Sequence, residues 1–514
     1  MTTQVRTTRR VLLVGGVAVG LAACTDTGTT DPPRAAGSGA GTSTAAQEAA
    51  IFDLSFTTTE QFRPFELVAP GFVATEAARR DAAALERADG GPAAPWAAVE
   101  LRVRAGDGGS AVAGLATAGG DQVLVRWSAA SGTVSLQVRL EGRSRVLRRR
   151  RVAAAATGEL GLAFALCENQ VTALVDTGDG WQPVLTERDK VASLVDLRRE
   201  DVLGEYRYAW GGRDADLDVR AGLFGMAGLR DPHLVQNADG TPYLRAGRLH
   251  LTWTCAGLGF FQQAHWTVWS LDPADPADLR LEAQLFSRRD GLVLGDHAGQ
   301  LVRDGEQWLV ATSSWGDFEP GSIHVRHTTT EADLLRGVHV LDTEPTPLPT
   351  EHGSWDPGLI RVDDAWHVAF VESPSQDPFD FHPALARTTS RDWSEGLEPV
   401  AAATDRHQCE GPVLATVGDR TWLLASDADE RAYPVFDLDG RPAGRLDAPY
   451  PTNIPHPQLV PAADGGWWLV TFDGTQYAED VVGYGGHGDV VVMHAAGTSV
   501  PAGNGAGAPA PEED

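Results

Sequence analysis

Polar and apolar positions alternate in short runs along most of the chain, and in its second half these runs repeat as a unit. Each unit opens on a polar residue near Pro or Gly, continues as a short apolar strand, reverses at a turn, and returns on a strand carrying tryptophan. The first is Asp231-Pro232-His233-Leu234-Val235, with a turn at 237–240 and a return at 249–253. The second is Asp296-His297-Ala298-Gly299-Gln300-Leu301-Val302, turn Asp304-Gly305, return Trp308-Leu309-Val310. The third is Trp355-Asp356-Pro357-Gly358-Leu359-Ile360, turn Asp363-Asp364, return 366–370. The fourth is Gln408-Cys409-Glu410-Gly411-Pro412-Val413-Leu414, turn Gly418-Asp419, return at Trp422. The fifth is His456-Pro457-Gln458-Leu459-Val460, turn Asp464-Gly465-Gly466, return Trp467-Trp468-Leu469. Short apolar runs bounded by turn residues indicate strands.

The leading residues Asp231, Asp296, Asp356, Glu410 and His456 are 65, 60, 54 and 46 positions apart. Propeller repeats occupy about 40–50 residues, so each interval holds one four-stranded blade with loops of variable length. The pattern predicts a five-bladed β-propeller over 227–497, whose first strands line a central channel. The leading residues then converge at one end of that channel.

Upstream, 49–226 carries regular short alternating runs, such as 97–103, 122–127, 134–138, 160–166 and 170–175, separated by turns rich in Gly, Asp and Asn. This predicts an antiparallel β-sandwich of jelly-roll type, making the whole chain all-β. The segment from Leu160 to Leu185, with Gly178-Asp179-Gly180-Trp181, resembles concanavalin-like, laminin-G-like jelly rolls. One stretch, 75–87, is rich in Ala, Glu and Arg and is expected to be a helix. The run Arg148 to Arg151 is expected on a solvated strand edge, where charge blocks unwanted pairing.

The first residues change the picture of where the protein works. Thr8-Arg9-Arg10 and the apolar run after it resemble a twin-arginine export signal, and Leu21-Ala22-Ala23-Cys24 resembles a bacterial lipobox. The resemblance implies cleavage before Cys24, acylation of that cysteine, and a lipoprotein on the outer face of the cytoplasmic membrane. Residues 1–24 are then the signal, 25–48 a Thr/Gly/Ser/Pro-rich tether and 498–514 a disordered tail. A net charge of −28 argues against nucleic acid as a partner and leaves the lipid as the only membrane attachment. Cys167, Cys255 and Cys409 remain, an odd number that admits at most one disulfide. A monomer is expected.

Several carboxylates crowded at one channel mouth repel one another, so their pKa values separate. Hydrolysis of an acetal uses such a split: an acid protonates the leaving oxygen while a base activates water. Arg230-Asp231-Pro232, Asp356-Pro357-Gly358 and Glu410-Gly411-Pro412 resemble the three signatures of glycoside hydrolase family 43 and its five-bladed relatives. The resemblance covers about 228–496. It implies Asp231 as general base, Asp356 as the residue that tunes and orients the acid, and Glu410 as general acid. It also implies inversion at the anomeric carbon and a pentose- or pentofuranose-containing glycan such as an arabinan or arabinoxylan.

The chain departs from that pattern in places. Asp296 adds a fourth carboxylate able to replace Asp356, and the sandwich precedes the propeller. His456 stands where relatives often hold a channel cation, such as Ca2+, through water; no other cofactor is expected. Contacts to sugar are expected from His297, Trp315, Asp317, Phe318, Trp355, Phe381, His382, Arg431 and Tyr433, since aromatic rings suit the apolar faces of sugars. The competing reading is a surface glycan-binding lipoprotein without catalysis. A phosphorylase ranks last, because no basic cluster leads the repeats.

Overall fold

In the computed structural model the described residues are 49–152, 159–478 and 486–496. The signal, Cys24, the tether and the tail lie outside them.

The repeated units fold as the alternation demands. In each, the apolar strand pairs antiparallel with the tryptophan strand, across a short turn in the last four and across 235–247, with its two short strands, in the first. Asp363 and Asp364 both have positive φ, 49° and 60°, the conformation that matches a two-residue turn to the twist of its strands. Five sheets result, begun by Leu229–Leu234, His297–Asp304, Gly353–Val362, Cys409–Val417 and Gln458–Pro461.

Apolar side chains between neighbouring sheets close these into a propeller. Trp266, Val268, Leu301 and Trp308 pack the first against the second, and Val302, Leu309, Leu359 and Trp366 the second against the third. Ile360, Leu385, Leu414 and Leu423 join third to fourth; Val413, Trp422, Leu459 and Leu469 join fourth to fifth. Leu229, Leu251, Trp253, Val470 and Val490 return the fifth to the first. The repeat tryptophans Trp253, Trp308, Trp366 and Trp422 are buried in these seams, whereas Trp467 and Trp468 are half-buried.

One domain boundary shifts. Thr57–Phe62 is the outer strand of the fifth propeller sheet, paired with His487–Ala495, and Ile51, Leu54 and Phe56 pack in the fourth–fifth seam. Residues 49–62 therefore belong to the ring, and chain segments from both ends of the fold close its last sheet.

The remaining N-terminal strands make one ten-stranded sheet. Trp96–Thr117 and Tyr206–Met226 run side by side through it. The first half of Trp96–Thr117 pairs with Glu159–Cys167 and its second half with Gln122–Ser128. The two halves enclose one core that includes Val99, Leu101, Leu115, Val125, Leu136 and Phe164. Arg143–Arg151 is an exposed terminal strand of this sheet, as its charge required. The expected helix at 75–87 is absent. Glu66–Ala82 and Leu85–Arg87 are strands paired with Tyr206–Met226. Thr75, Ala77 and Arg79 are half-buried while Glu76, Ala78 and Arg80 are exposed. That period of two, fixed by the partner strand, outweighs the modest helix propensity of Ala, Glu and Arg.

Candidate active site

Four leading segments are β-bulges. Pairing with the second strand skips two residues between Arg230 and His233, His297 and Gln300, Trp355 and Gly358, and Glu410 and Val413. The first skipped residue is left-handed each time: Asp231 (φ 55°), Ala298 (43°), Asp356 (50°) and Gly411 (64°). Bulges bend a strand and re-aim its side chains, and Asp tolerates this backbone better than most residues. Three of the four second positions are proline, which is confined to edges, strand starts and bulges because it lacks a ladder donor.

The bulges correct the register inferred from sequence. Asp231 and Asp356 occupy the left-handed position itself. Glu410 stands one residue before it and Asp296 two before it, so the leading carboxylates are not equivalent.

Three of them meet. Nε2 of His456 lies 3.8 Å from Asp231 Oδ1, 3.5 Å from Asp356 Oδ2 and 4.0 Å from Glu410 Oε1. Any two of those oxygens are therefore less than about 8 Å apart, a range that includes the separations used to admit a water between two carboxyl groups. Gly411 makes this approach feasible, since a Cβ there would fall 2.3 Å from the His456 ring. Backbone and side-chain donors fix the cluster. The Gly411 N–H donates to Asp356 Oδ2 at 3.1 Å, and the Asp356 N–H donates to Ser313 Oγ at 2.9 Å. The Trp355 indole N–H donates to Glu410 Oε2 at 3.1 Å. The Arg230 guanidinium lies 3.4 Å from Asp231 Oδ2.

The electrostatics separate the roles. Burial, then Glu410 and Asp231, push Asp356 well above the usual carboxylate range, against the Gly411 hydrogen bond. Burial, then Asp231, push Glu410 up to about 8, with Trp355 and Arg230 opposing. Burial holds His456 below the usual imidazole range, opposed by Asp231 and assisted by Arg230. The side chain of Glu410 is 23% exposed against 4% for Asp356, so Glu410 faces the opening and Asp356 the floor. At neutral pH the opening thus presents the protonated carboxyl of Glu410 beside Asp231, which has the Arg230 guanidinium as its partner.

Asp296 does not join them. It is fully buried in a two-point ion pair with Arg289 (2.7 and 2.9 Å), which also grips Asp317. Asp296 and Asp317 are therefore anchors of the Trp315–Asp317 turn; Asp296 is out of reach of substrate, whereas Asp317 stays exposed. His297 uses both ring nitrogens, one toward Arg230 (3.4 Å) and one toward the Phe261 carbonyl (2.7 Å). Trp315, Trp355 and Phe381 are buried in one aromatic cluster with half-buried Phe261, Phe318 and Phe379. Only the half-buried rings offer faces to a sugar. His382 is buried against Glu372 at 3.2 Å. Tyr433 is core, packed in the fourth–fifth seam, and Arg431 lies on the ring of Tyr450 and donates to its carbonyl.

The cation expected at His456 through water has no direct donor set beside it among the described residues. Its Nε2 is turned to the carboxylates, and among the described residues no group of three or more His, Cys, Asp or Glu is arranged to hold a metal ion. Cys167, Cys255 and Cys409 are all buried and free, so no disulfide forms among them.

Sequence reasoning missed Arg230, Phe261 and Tyr450. Arg230 was legible in principle, as a charge directly before the bulge in Arg-Asp-Pro. Phe261 and Tyr450, whose hydroxyl is 3.0 Å from Ser426 Oγ, sit on loops with no repeat register to reveal them.

The fold and this cluster define an all-β propeller with a buried carboxylate triad at one end of its channel. No family model matches the chain, and no curated protein matches it. Among solved structures, a family-43 enzyme from Xanthomonas citri overlaps 52% of this chain and 87% of its own at 16% identity and TM-score 0.38. An α-L-arabinanase from Penicillium chrysogenum complexed with arabinobiose overlaps 66% and 90% at 11% identity and TM-score 0.34. A family-93 α-L-arabinofuranosidase from Fusarium graminearum overlaps 66% and 90%, at 11% identity and TM-score 0.33. At such values the chemistry must be read from the site itself.

Proposed function

We propose that the protein is an exported glycoside hydrolase that cleaves a pentose- or pentofuranose-containing glycan with inversion. The observation that carries this reading is the approach of Asp231, Asp356 and Glu410 to one buried imidazole nitrogen, within 4.0 Å. Asp231 takes a proton from water as the water oxygen bonds to the anomeric carbon. The glycosidic C–O bond breaks, and the leaving oxygen keeps the electron pair and takes the proton of Glu410. Asp356, deeper and itself protonated, keeps a second negative charge away from Glu410 and so preserves its proton. Exchange with solvent then returns Asp231 and Glu410 to their starting forms.

The pentose assignment follows the three short motifs around these residues. Phe318 and Phe379, stacked 6.2 Å apart, and Phe261 supply the apolar wall for the sugar. The Leu21-Ala22-Ala23-Cys24 motif supports export and a lipid anchor at Cys24, with the enzyme working as a monomer at the cell surface.

The test is a screen of arabinan, arabinoxylan and cell-wall arabinan with wild type, Asp231→Asn and Glu410→Gln. Turnover by wild type alone, with an inverted product by NMR, is the expected result. Full activity in Glu410→Gln sinks the assignment, and tight glycan binding without turnover by wild type makes the protein a surface glycan binder.

A further inference from the structure

We infer that Trp355 is a positioning residue that pins Glu410 through Oε2 and thereby assigns the transferable proton to Oε1. This rests on the proposed role of Glu410 as acid. An indole N–H can only donate, and it donates to Oε2 at 3.1 Å. The carbonyl oxygen of a neutral carboxyl accepts better than its hydroxyl oxygen, so this bond favours the carbonyl at Oε2 and the proton on the other oxygen. The proton resides on Oε1, the oxygen that faces the triad and His456.

The indole is itself immobile. Trp355 is 1% exposed, and its ring meets Trp315 at 5.5 Å, Phe381 at 5.4 Å and Phe379 at 6.1 Å, all edge-to-face. The backbone bulge that begins at the next residue aims Asp356 at the same centre. One two-residue segment thus presents both the group that guards the acid's proton and the group that orients the acid. The substrate-stacking role expected of Trp355 is excluded by its burial.

The groups around Glu410 set the sign of the effect. Burial and the Asp231 charge disfavour its ionised form, while Asp356, Cys409 and Tyr450 beside it, all held neutral, add no charge. Arg230 favours it, His456 is held neutral, and the indole hydrogen bond also favours the ionised form. Removing the indole donor raises the pKa of Glu410, so the acid stays protonated to higher pH but loses its fixed direction.

The experiment is Trp355→Phe, which keeps a ring in the cluster and deletes the donor. Two rates are read in one sample, on an unactivated oligosaccharide and on an aryl glycoside whose phenol leaves without a proton. Their ratio is independent of how much variant is folded. A positioned acid contributes about 10²–10⁴-fold, and the expected outcome is a loss of about 10-fold or more on the oligosaccharide with little change on the aryl glycoside. The alkaline limb of kcat/KM moves to higher pH. Independently, 13C-carboxyl NMR of Glu410, identified by its absence in Glu410→Gln, should titrate at higher pH in Trp355→Phe than in wild type. An unchanged rate ratio together with an unchanged carboxyl titration overturns the proposal while leaving Glu410 as acid. If wild type cleaves neither substrate, the functional reading falls, and the carboxyl titration decides the role of Trp355 by itself.

Discussion

The Gln263 side-chain amide donates to Glu168 Oε2 at 3.2 Å, tying the ten-stranded sheet to the loop that carries Phe260 and Phe261. Glu168 has no exposure and is also held by Arg188 at 2.8 Å and Arg198 at 3.4 Å. Gln263 in turn accepts from the Phe260 N–H through Oε1 and from the Trp96 indole through its carbonyl. The N-terminal domain therefore braces the aromatic wall of the site. Breaking a buried ion pair costs about 3–5 kcal/mol. Glu168→Ala should cost somewhat less, about 2–4 kcal/mol, because Arg188 and Arg198 keep 34% and 23% exposure and can be solvated. Urea denaturation measures this, and KM for an oligosaccharide should rise as the Phe261 loop loosens.

Asp296 and Asp356 lead adjacent sheets, yet they answer to different neighbours. Asp296→Asn should lower stability by about 3 kcal/mol or more, since it strips Arg289 of its buried counter-ion. It should leave any pH–rate profile of the folded protein unchanged. Asp356→Asn should do the opposite, altering the profile at modest cost in stability. A shifted profile in Asp296→Asn would reverse the assignment.

Glu410 makes stability depend on pH with a definite sign. Its folded-state pKa of about 8 lies above its ordinary 4.5, so the folded protein holds a proton that the unfolded chain has released. The associated stability is complete below pH 4.5 and is lost as pH rises through 8. Measured by differential scanning fluorimetry, the Tm of wild type relative to Glu410→Gln should fall from pH 5 to pH 8.5. The alkaline limb of kcat/KM should lie near pH 8, where the acid loses its proton.

Burial pushes the thiols of Cys167 and Cys255 up to about 12, and that of Cys409 well above its usual value. The thiolate is the reactive form. All three should resist a thiol reagent in the native protein and react in guanidinium, as read by mass spectrometry of the labelled peptides. Native labelling of Cys409, beside Glu410, would show that the fourth sheet opens.

Much of the ring was legible because its units are local. An apolar run, a turn at Asp363-Asp364 or Gly418-Asp419, and a returning tryptophan each fit inside some 15 residues, so sequence order and spatial order coincide. The stretch at 75–87 failed for the converse reason. Its state is set by Tyr206–Met226, more than a hundred positions away, and no local propensity records that partner. The N-terminal strand Thr57–Phe62 was likewise assigned to the wrong domain, since its partner His487–Ala495 lies at the far end of the chain.

The sequence by itself determined the paired strands of the ring's repeats, where most of them turn, and that carboxylates beside proline or glycine begin several of them. These follow from backbone sterics and from the period of burial, which act over a few residues. Only the tertiary structure decided which carboxylates share an electric field. Asp231, Asp356 and Glu410 influence one another because the closed ring buries them around His456, whereas Asp296 was captured by Arg289. Charge interaction depends on distance and burial in space, and neither is written in the spacing of residues along the chain.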